Sequence, residues 1–331
     1  MKIHPLPLYL QRFFTERLAA QLRASHHTVT SYRDTFRLLL KFATVRLHRS
    51  PTDLQVVDID AELIGLFLAD IESARGNSAR SRNTRLSAIR SFFRYVAVNE
   101  PQLLHHCQRI LAMPAKRHEK RTIDYLSRVE MEALVEGPDL TTWYGRRDRA
   151  LLSLALQTGL RVSELTGLSC GDIVLGAGAH VRCIGKGRKE RATPIRKDTV
   201  KVLRDWLAER GDAATDLVFV SNRNQRLSRD AVEQIVERHV RTASIKCPSL
   251  KKKRVTPHVL RHSAAMQLLQ NGVDRTVIAL WLGHESVETT QMYIHADMQL
   301  KEKAMARTQP AKITCGRYQP DDKLLAFLEA L

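Results

Sequence analysis

Apolar residues return at intervals of three and four along most of this chain, the rhythm of amphipathic helices. Four early segments carry it: "PLPLYLQRFFTERLAAQLRA", "TVTSYRDTFRLLLKFATVRL", "DAELIGLFLADIESARG" and "SRNTRLSAIRSFFRYVAVNE". In the last, Leu86, Ile89, Phe93 and Val96 form one stripe, so residues 1–112 read as helices only. Arg82, Arg85, Arg90 and Arg94 lie off that stripe, on a face turned either to solvent or to a charged partner. The polar, basic stretch "MPAKRHEKRTIDYLS" (113–127) then breaks the periodicity. It suggests a linker over 113–122 and a second domain over 123–331.

The second domain opens with Ser127 and Glu130 spaced as a capping box before "VEMEALVEG". "RDRALLSLALQTGLRVSELTGLS" predicts two helices, the first ended by Gly159. The pattern changes once: "HVRCIGKGRKERATPI" (180–195) places β-prone runs on either side of Gly-Lys-Gly, a hairpin signature. Helices resume in "KDTVKVLRDWLAERG" and "SRDAVEQIVERHVRTAS". After the basic run "KKKR" comes "TPHVLRHSAAMQLLQNGVDRTVIALWLGHESVETTQMYIHAD" (256–297). Thr256 and Pro257 predict a capped helix start, and Asn271-Gly272 its stop. His258 and Arg261, three apart, share a face. "DRTVIALWLG" predicts a short second helix with an Asp cap and a Gly stop, "HES" a turn, and a third helix bears Tyr293. Three short helices folded back on each other would gather His258, Arg261, His284 and Tyr293.

Charge sharpens this picture. The 331 residues contain 53 Lys and Arg against 35 Asp and Glu, a formal charge of +18 and a pI near 10.0. Such a surplus favours a polyanionic partner, because neutralising phosphates releases their condensed counterions. Arginines interleaved with apolar residues do not make the continuous apolar face of a membrane anchor. No apolar run approaches the length of a membrane span, and "MKIHPLPLYLQRFFTER" lacks signal-peptide features. The cysteines, Cys107, Cys170, Cys183, Cys247 and Cys315, are odd in number and form no CxxC pair. Neither a disulfide framework nor a zinc site is signalled, which suits a reducing cytoplasm.

A tyrosine, two histidines and arginines suit attack on phosphorus. The phenol must lose its proton, arginine forks can hold phosphate oxygens without losing charge, and histidine moves protons near neutrality. A lysine on a mobile turn can protonate the leaving sugar oxygen, and no metal is required.

These segments together resemble the tyrosine recombinases, or phage-integrase family, and its Xer-like two-domain members. "ALQTGLRVSELTGLSCGDI" resembles the family's first arginine box, with Arg161 as a phosphate clamp and Glu164 bracing the site. "IGKGRKER" resembles its β-hairpin, with Lys186 as general acid. "HVLRHSAA" resembles the His-x-x-Arg box, making His258 a base or proton shuttle and Arg261 the second clamp. "LGHESVETTQMYIHA" resembles the last box, with His284 on the scissile phosphate and Tyr293 as nucleophile.

The resemblance implies a mainly α protein: a helical, SAM-like DNA-binding domain followed by a mostly α catalytic domain with a small β-sheet or hairpin. It implies a 3′-phosphotyrosyl intermediate without ATP, metal or other cofactor. The partners are double-stranded DNA and three further protomers, in a homo-tetramer or a hetero-tetramer with related recombinases. A cytoplasmic, nucleoid-associated location follows, without a membrane. Arg82, Arg85, Arg90, Lys251, Lys252 and Arg254 are candidate DNA-backbone contacts. The tail after Tyr293 is longer than in the simplest members, and its end, "DDKLLAFLEAL", is amphipathic, suited to its own domain or a neighbour. That tail favours an integrase or transposase of a mobile element. A Xer-type chromosome or plasmid dimer resolvase, a type IB topoisomerase and a catalytically inactive DNA-binding regulator stay open as alternatives.

Overall fold

The computed structural model describes residues 4–117, 123–185, 190–211, 215–284, 290 and 293. The chain divides into two compact units, Met1–Lys120 and Arg121–Leu331.

The first unit is helical. α1 (Leu6–Arg12) continues as a π-helix over Phe13–Gln21, followed by α2 (His26–Leu47), α3 (Ala61–Ser73), α4 (Ala79–Asn99) and α5 (Leu104–Leu111). Ser25, Asp60 and Ser78 cap α2, α3 and α4, each side chain accepting a hydrogen bond from a first-turn amide. The stripe read in α4 is the buried one: Leu86, Ile89, Phe93 and Val96 lie in the core. Phe92, beside that stripe, meets Phe13 and Phe36 edge-on at ring separations of 5.5 and 5.2 Å.

The second unit packs its helices around α7 (Trp143–Thr158), preceded by α6 (Arg128–Glu136) and followed by the short α8 (Val162–Thr166). Both halves of the Ser127–Glu130 capping box form. α7 is buried nearly all round, and its second half is mostly apolar, with Ala150, Leu151, Leu152 and Leu154 fully enclosed, as suits a helix at the centre of a domain. It ends at Gly159, whose φ of 64° is left-handed. A Cβ there would sit 2.6 Å from Leu282 Cδ2, so glycine is required twice over.

The antiparallel sheet has the order β1 (Ile173–Val174), β2 (His180–Ile184), β3 (Glu190–Pro194). Cys183 faces Arg191 and Val181 faces Thr193 across the β2–β3 ladder. Beyond the sheet lie α9 (Lys197–Arg210), α10 (Arg229–Lys246), α11 (Pro257–Gln270) and α12 (Arg275–Leu282). Thr256 caps α11 with Pro257 in its first turn, and Asp274 and Gly283 bound α12, as their sequence signals require.

One polar cluster is sealed inside this unit. Asp148 on α7 accepts two hydrogen bonds from Arg147, at 2.9 and 2.7 Å, and its other oxygen meets His239 of α10 at 2.8 Å. Arg147 also donates to the Val220 carbonyl and lies over the rings of Trp143 and Tyr144. Among the described residues, no helix is long and apolar enough to cross a membrane.

Candidate active site

The ends of α7 and α12 approach each other, and arginines fill the gap. A helix C-terminus leaves carbonyls without intrahelical partners and carries a partial negative charge, so it is a natural seat for a guanidinium. Arg261, on α11, donates from Nη1 to the Gly159 carbonyl at 2.6 Å and from Nη2 to the Leu282 carbonyl at 2.8 Å. Arg161 donates from Nη2 to the Gly283 carbonyl at 3.0 Å. Two helix ends therefore orient two cations drawn from distant parts of the chain.

Glu164 holds the assembly together. One turn into α8, it accepts from the Arg161 backbone amide at 2.8 Å and from Arg161 Nη1 at 2.9 Å. Its carboxylate also accepts from Arg191 of β3, at 2.7 and 3.2 Å. Burial alone would raise the carboxyl pKa, but the hydrogen bonds from Arg191 and from the Arg161 backbone outweigh it and hold it low. Arg261 is pushed down to about 10 by burial first and by the neighbouring Arg161 second. Among the described residues, three guanidiniums thus face one carboxylate, and Arg161 keeps 29% of its side chain exposed.

Tyr293 lies beside these cations, 1% exposed, packed with Ala265, Met266, Leu269, Ile278 and Leu282. Its phenol is joined to His262 Nδ1 at 3.1 Å. The ring of His284 lies nearly parallel to it, 6.2 Å away, while His284 Nδ1 bonds the Thr290 hydroxyl at 2.9 Å. Burial raises the Tyr293 pKa, and Arg261 and then Arg161 pull against that rise. His262 and His284 are both lowered to about 4, chiefly by burial and then by neighbouring charged groups, so both imidazoles are neutral near pH 7.

The structure thus brings together Arg161, Glu164, Arg261, His284 and Tyr293. His258 is the exposed residue of the otherwise buried first turn of α11; partial desolvation and the cations of Arg229 and Arg261 hold its pKa below the ordinary value. Lys186 lies outside the described residues, as does the 294–331 tail. Sequence reasoning missed Arg191 and His262, although each left a signal. Arg191 is opposite Cys183 on the inward face of a strand pair, where a charged residue requires a partner. His262 follows His258 by four, a spacing as close on a helix face as the three to Arg261.

The candidate DNA contacts differ among themselves. Arg82 is half-buried and 3.6 Å from Glu72, so part of its charge is already compensated. Arg85 and Arg90 are half-buried, whereas Lys251, Lys252 and Arg254 are exposed. Among the described residues, no cluster of three or more His, Cys, Asp or Glu side chains has the arrangement to hold a metal ion.

The sequence matches a known family. Residues 125–300 match the phage integrase family and residues 11–99 its N-terminal SAM-like domain. A protein of Sinorhizobium fredii, y4rC, that is named as an integrase/recombinase without an established activity is 54% identical over 324 residues, 97% of either chain. A tyrosine recombinase XerC of Pelobacter propionicus is 34% identical over 288 residues, 87% of this chain and 90% of that one. The fold is shared with the crystal structure of the XerH site-specific recombinase bound to its palindromic difH substrate. The TM-score is 0.67, with 21% identity over 92% of this chain and 99% of that one. The chain belongs to the phage integrase family: it is a tyrosine recombinase, of the class of enzymes that cut and rejoin DNA strands.

Proposed function

We propose that this chain performs site-specific recombination for a mobile element, with Tyr293 attacking a DNA phosphodiester to form a 3′-phosphotyrosyl bond and release a 5′-hydroxyl. The observation that carries this reading is the surplus of fixed cations beside one phenol: Arg161 and Arg261 are clamped by helix-end carbonyls and only partly compensated by Glu164. Phosphoryl transfer needs such preorganised donors, because negative charge spreads over the equatorial oxygens as the reaction proceeds. In this scheme Arg161 and Arg261 clamp the non-bridging oxygens, with a further hydrogen bond from His284. Lys186 protonates the departing 5′-oxygen, and His258 exchanges protons at the exposed rim. Glu164 braces both Arg161 and Arg191.

The covalent intermediate conserves the bond energy, so a 5′-hydroxyl from a second strand can reverse the step without ATP. Exchange between two duplexes needs four protomers, and the duplex is the partner that the +18 charge suits. Lys251, Lys252 and Arg254 would contact its backbone, with Arg85 and Arg90 doing so from the first unit. The protein would then act in the cytoplasm, at the nucleoid. Identity of 54% to an integrase/recombinase favours the mobile-element role, and 34% identity to a XerC recombinase keeps dimer resolution as the second reading.

The test is covalent trapping on a nicked duplex built from the ends of the element that carries the gene, with the modified peptide mapped by mass spectrometry. Wild type should yield an adduct on Tyr293, while Tyr293→Phe should bind the duplex and yield none. An adduct on any other residue would overturn the assignment. Integration rather than resolution is read from paired-site products: joining of the element's ends to a separate duplex supports the first role, and conversion of a plasmid dimer alone supports the second.

A further inference from the structure

A phenol cannot attack phosphorus well until its proton has somewhere to go. The family resemblance points to His258, but the imidazole in contact with Tyr293 is a different one. His262 Nδ1 lies 3.1 Å from Tyr293 Oη, with the two rings edge-to-face and their centres 5.6 Å apart. Tyr293 is 1% exposed, so bulk water does not compete for that proton. Among the described residues, this is the one hydrogen bond made by the phenol oxygen. His284 is stacked on the ring instead and spends its Nδ1 on Thr290, while His258 lies exposed a turn earlier on α11.

We infer that His262 is a further catalytic residue, the group that accepts the phenolic proton of Tyr293; this rests on Tyr293 being the nucleophile, as proposed above. Phenols are acids and imidazole nitrogens are bases, so the O–H donates and Nδ1 accepts. Among the described residues, the charged and titratable groups around His262 are His258 and Arg261 on its own helix, His284 after α12, and Tyr293 itself. Burial, then His258 and Arg261, hold the imidazole at about 4. Before DNA binds, the pair therefore rests as a neutral phenol and a neutral imidazole, and the nucleophile is idle. A phosphodiester seated on Arg161 and Arg261 brings a negative charge that offsets the cations and stabilises an imidazolium beside it. Substrate binding thereby raises the strength of the base.

In the cleavage step, a lone pair on Tyr293 Oη forms the Oη–P bond while its proton passes to His262 Nδ1. The P–O5′ bond breaks with its electron pair going to O5′, which takes a proton from Lys186. In rejoining, an incoming 5′-hydroxyl returns its proton to Lys186 and attacks phosphorus; Tyr293 Oη departs with the bonding pair and recovers the proton from His262. Protons and charge balance over the cycle.

The test measures single-turnover adduct formation between pH 6 and 10 on the nicked duplex, with full-length protein and rates normalised to the DNA-bound fraction. His262→Asn is the informative variant, since an amide oxygen can still hold the phenol but cannot take its proton. Adduct formation should slow by roughly 10²–10⁴-fold and recover as pH rises towards ionisation of the phenol itself. A 5′-thiol leaving group, which needs no acid, should rescue Lys186→Ala and leave His262→Asn slow. His262→Asn at the wild-type rate with an unchanged pH profile would overturn the inference while Tyr293 remained the nucleophile. An adduct in Tyr293→Phe would instead sink the underlying reading.

Discussion

At Asp148, one sealed carboxylate meets Arg147 and His239; at Glu164, one carboxylate meets Arg161 and Arg191, with Arg261 beside them. Both clusters set a carboxylate against arginine at the heart of the same unit. In the first, the Arg147 donors are spent on Asp148 and the Val220 carbonyl, and its flat face on two aromatic rings. Exposure is 4% for Arg147 and 0% for Asp148, which leaves nothing for a ligand. In the second, carbonyls orient the guanidiniums without neutralising them, and Arg161 still reaches solvent. Burial of charge is therefore no sign of function by itself; what distinguishes the candidate site is charge left over once its partners among the described residues are counted.

Breaking each cluster should separate stability from chemistry. Asp148→Asn strips the buried arginine of its counter-ion and should cost about 3–5 kcal/mol of folding stability, read by denaturant unfolding. Adduct formation per folded molecule should stay at the wild-type level in the cold; a large loss there would make the sealed cluster part of the site. Arg261→Lys keeps a cation but loses the fork that spans Gly159 and Leu282. It should slow adduct formation by roughly 10²–10³-fold, about 3–4 kcal/mol in the barrier, with a smaller change in melting temperature. If melting falls as far as in Asp148→Asn while normalised cleavage is unchanged, the contrast between the clusters is void.

The smallest effect is one of pH. His262 and His284 have folded-state values near 4, below the ordinary 6.5 of the unfolded chain. The unfolded state therefore binds protons that the folded state refuses, so their stabilisation is complete above about pH 6.5 and falls away towards pH 4. Glu164, whose pKa is also lowered, loses its contribution as acidification carries it through its own folded value. Melting temperature should decline across this window in wild type and less steeply in a His262→Asn, His284→Asn double variant. Equal slopes would mean that the histidines do not couple to folding.

Much of the local architecture was legible before any coordinates. The Ser127–Glu130 box, the glycine stop of α7, the Thr256 and Asp274 caps and the apolar stripe of α4 depend on contacts within one or two helical turns. Each is written in a few neighbouring residues. Arg161, Glu164, Arg261, His284 and Tyr293 likewise stand out in the sequence, because their boxes resemble a family's. His262 carries no such mark, because a histidine beside an arginine has no distinctive spacing until something touches it. Arg191 was hidden behind the basic residues of its hairpin, where only the strand's inward face sets it apart.

The sequence alone therefore determined most of the helices and their ends, the β2–β3 hairpin and the chemical inventory, since these follow from periodicity and capping over short spans, whereas β1 and α5 were not read from it. Tertiary structure decided which groups are partners. Arg161 and Gly283 are 122 positions apart, and Arg261 and Gly159 are 102. Hydrogen bonds at that separation depend on how α7, α11 and α12 pack, which no local pattern encodes. The same packing places His262 against the phenol and leaves three guanidiniums facing one carboxylate.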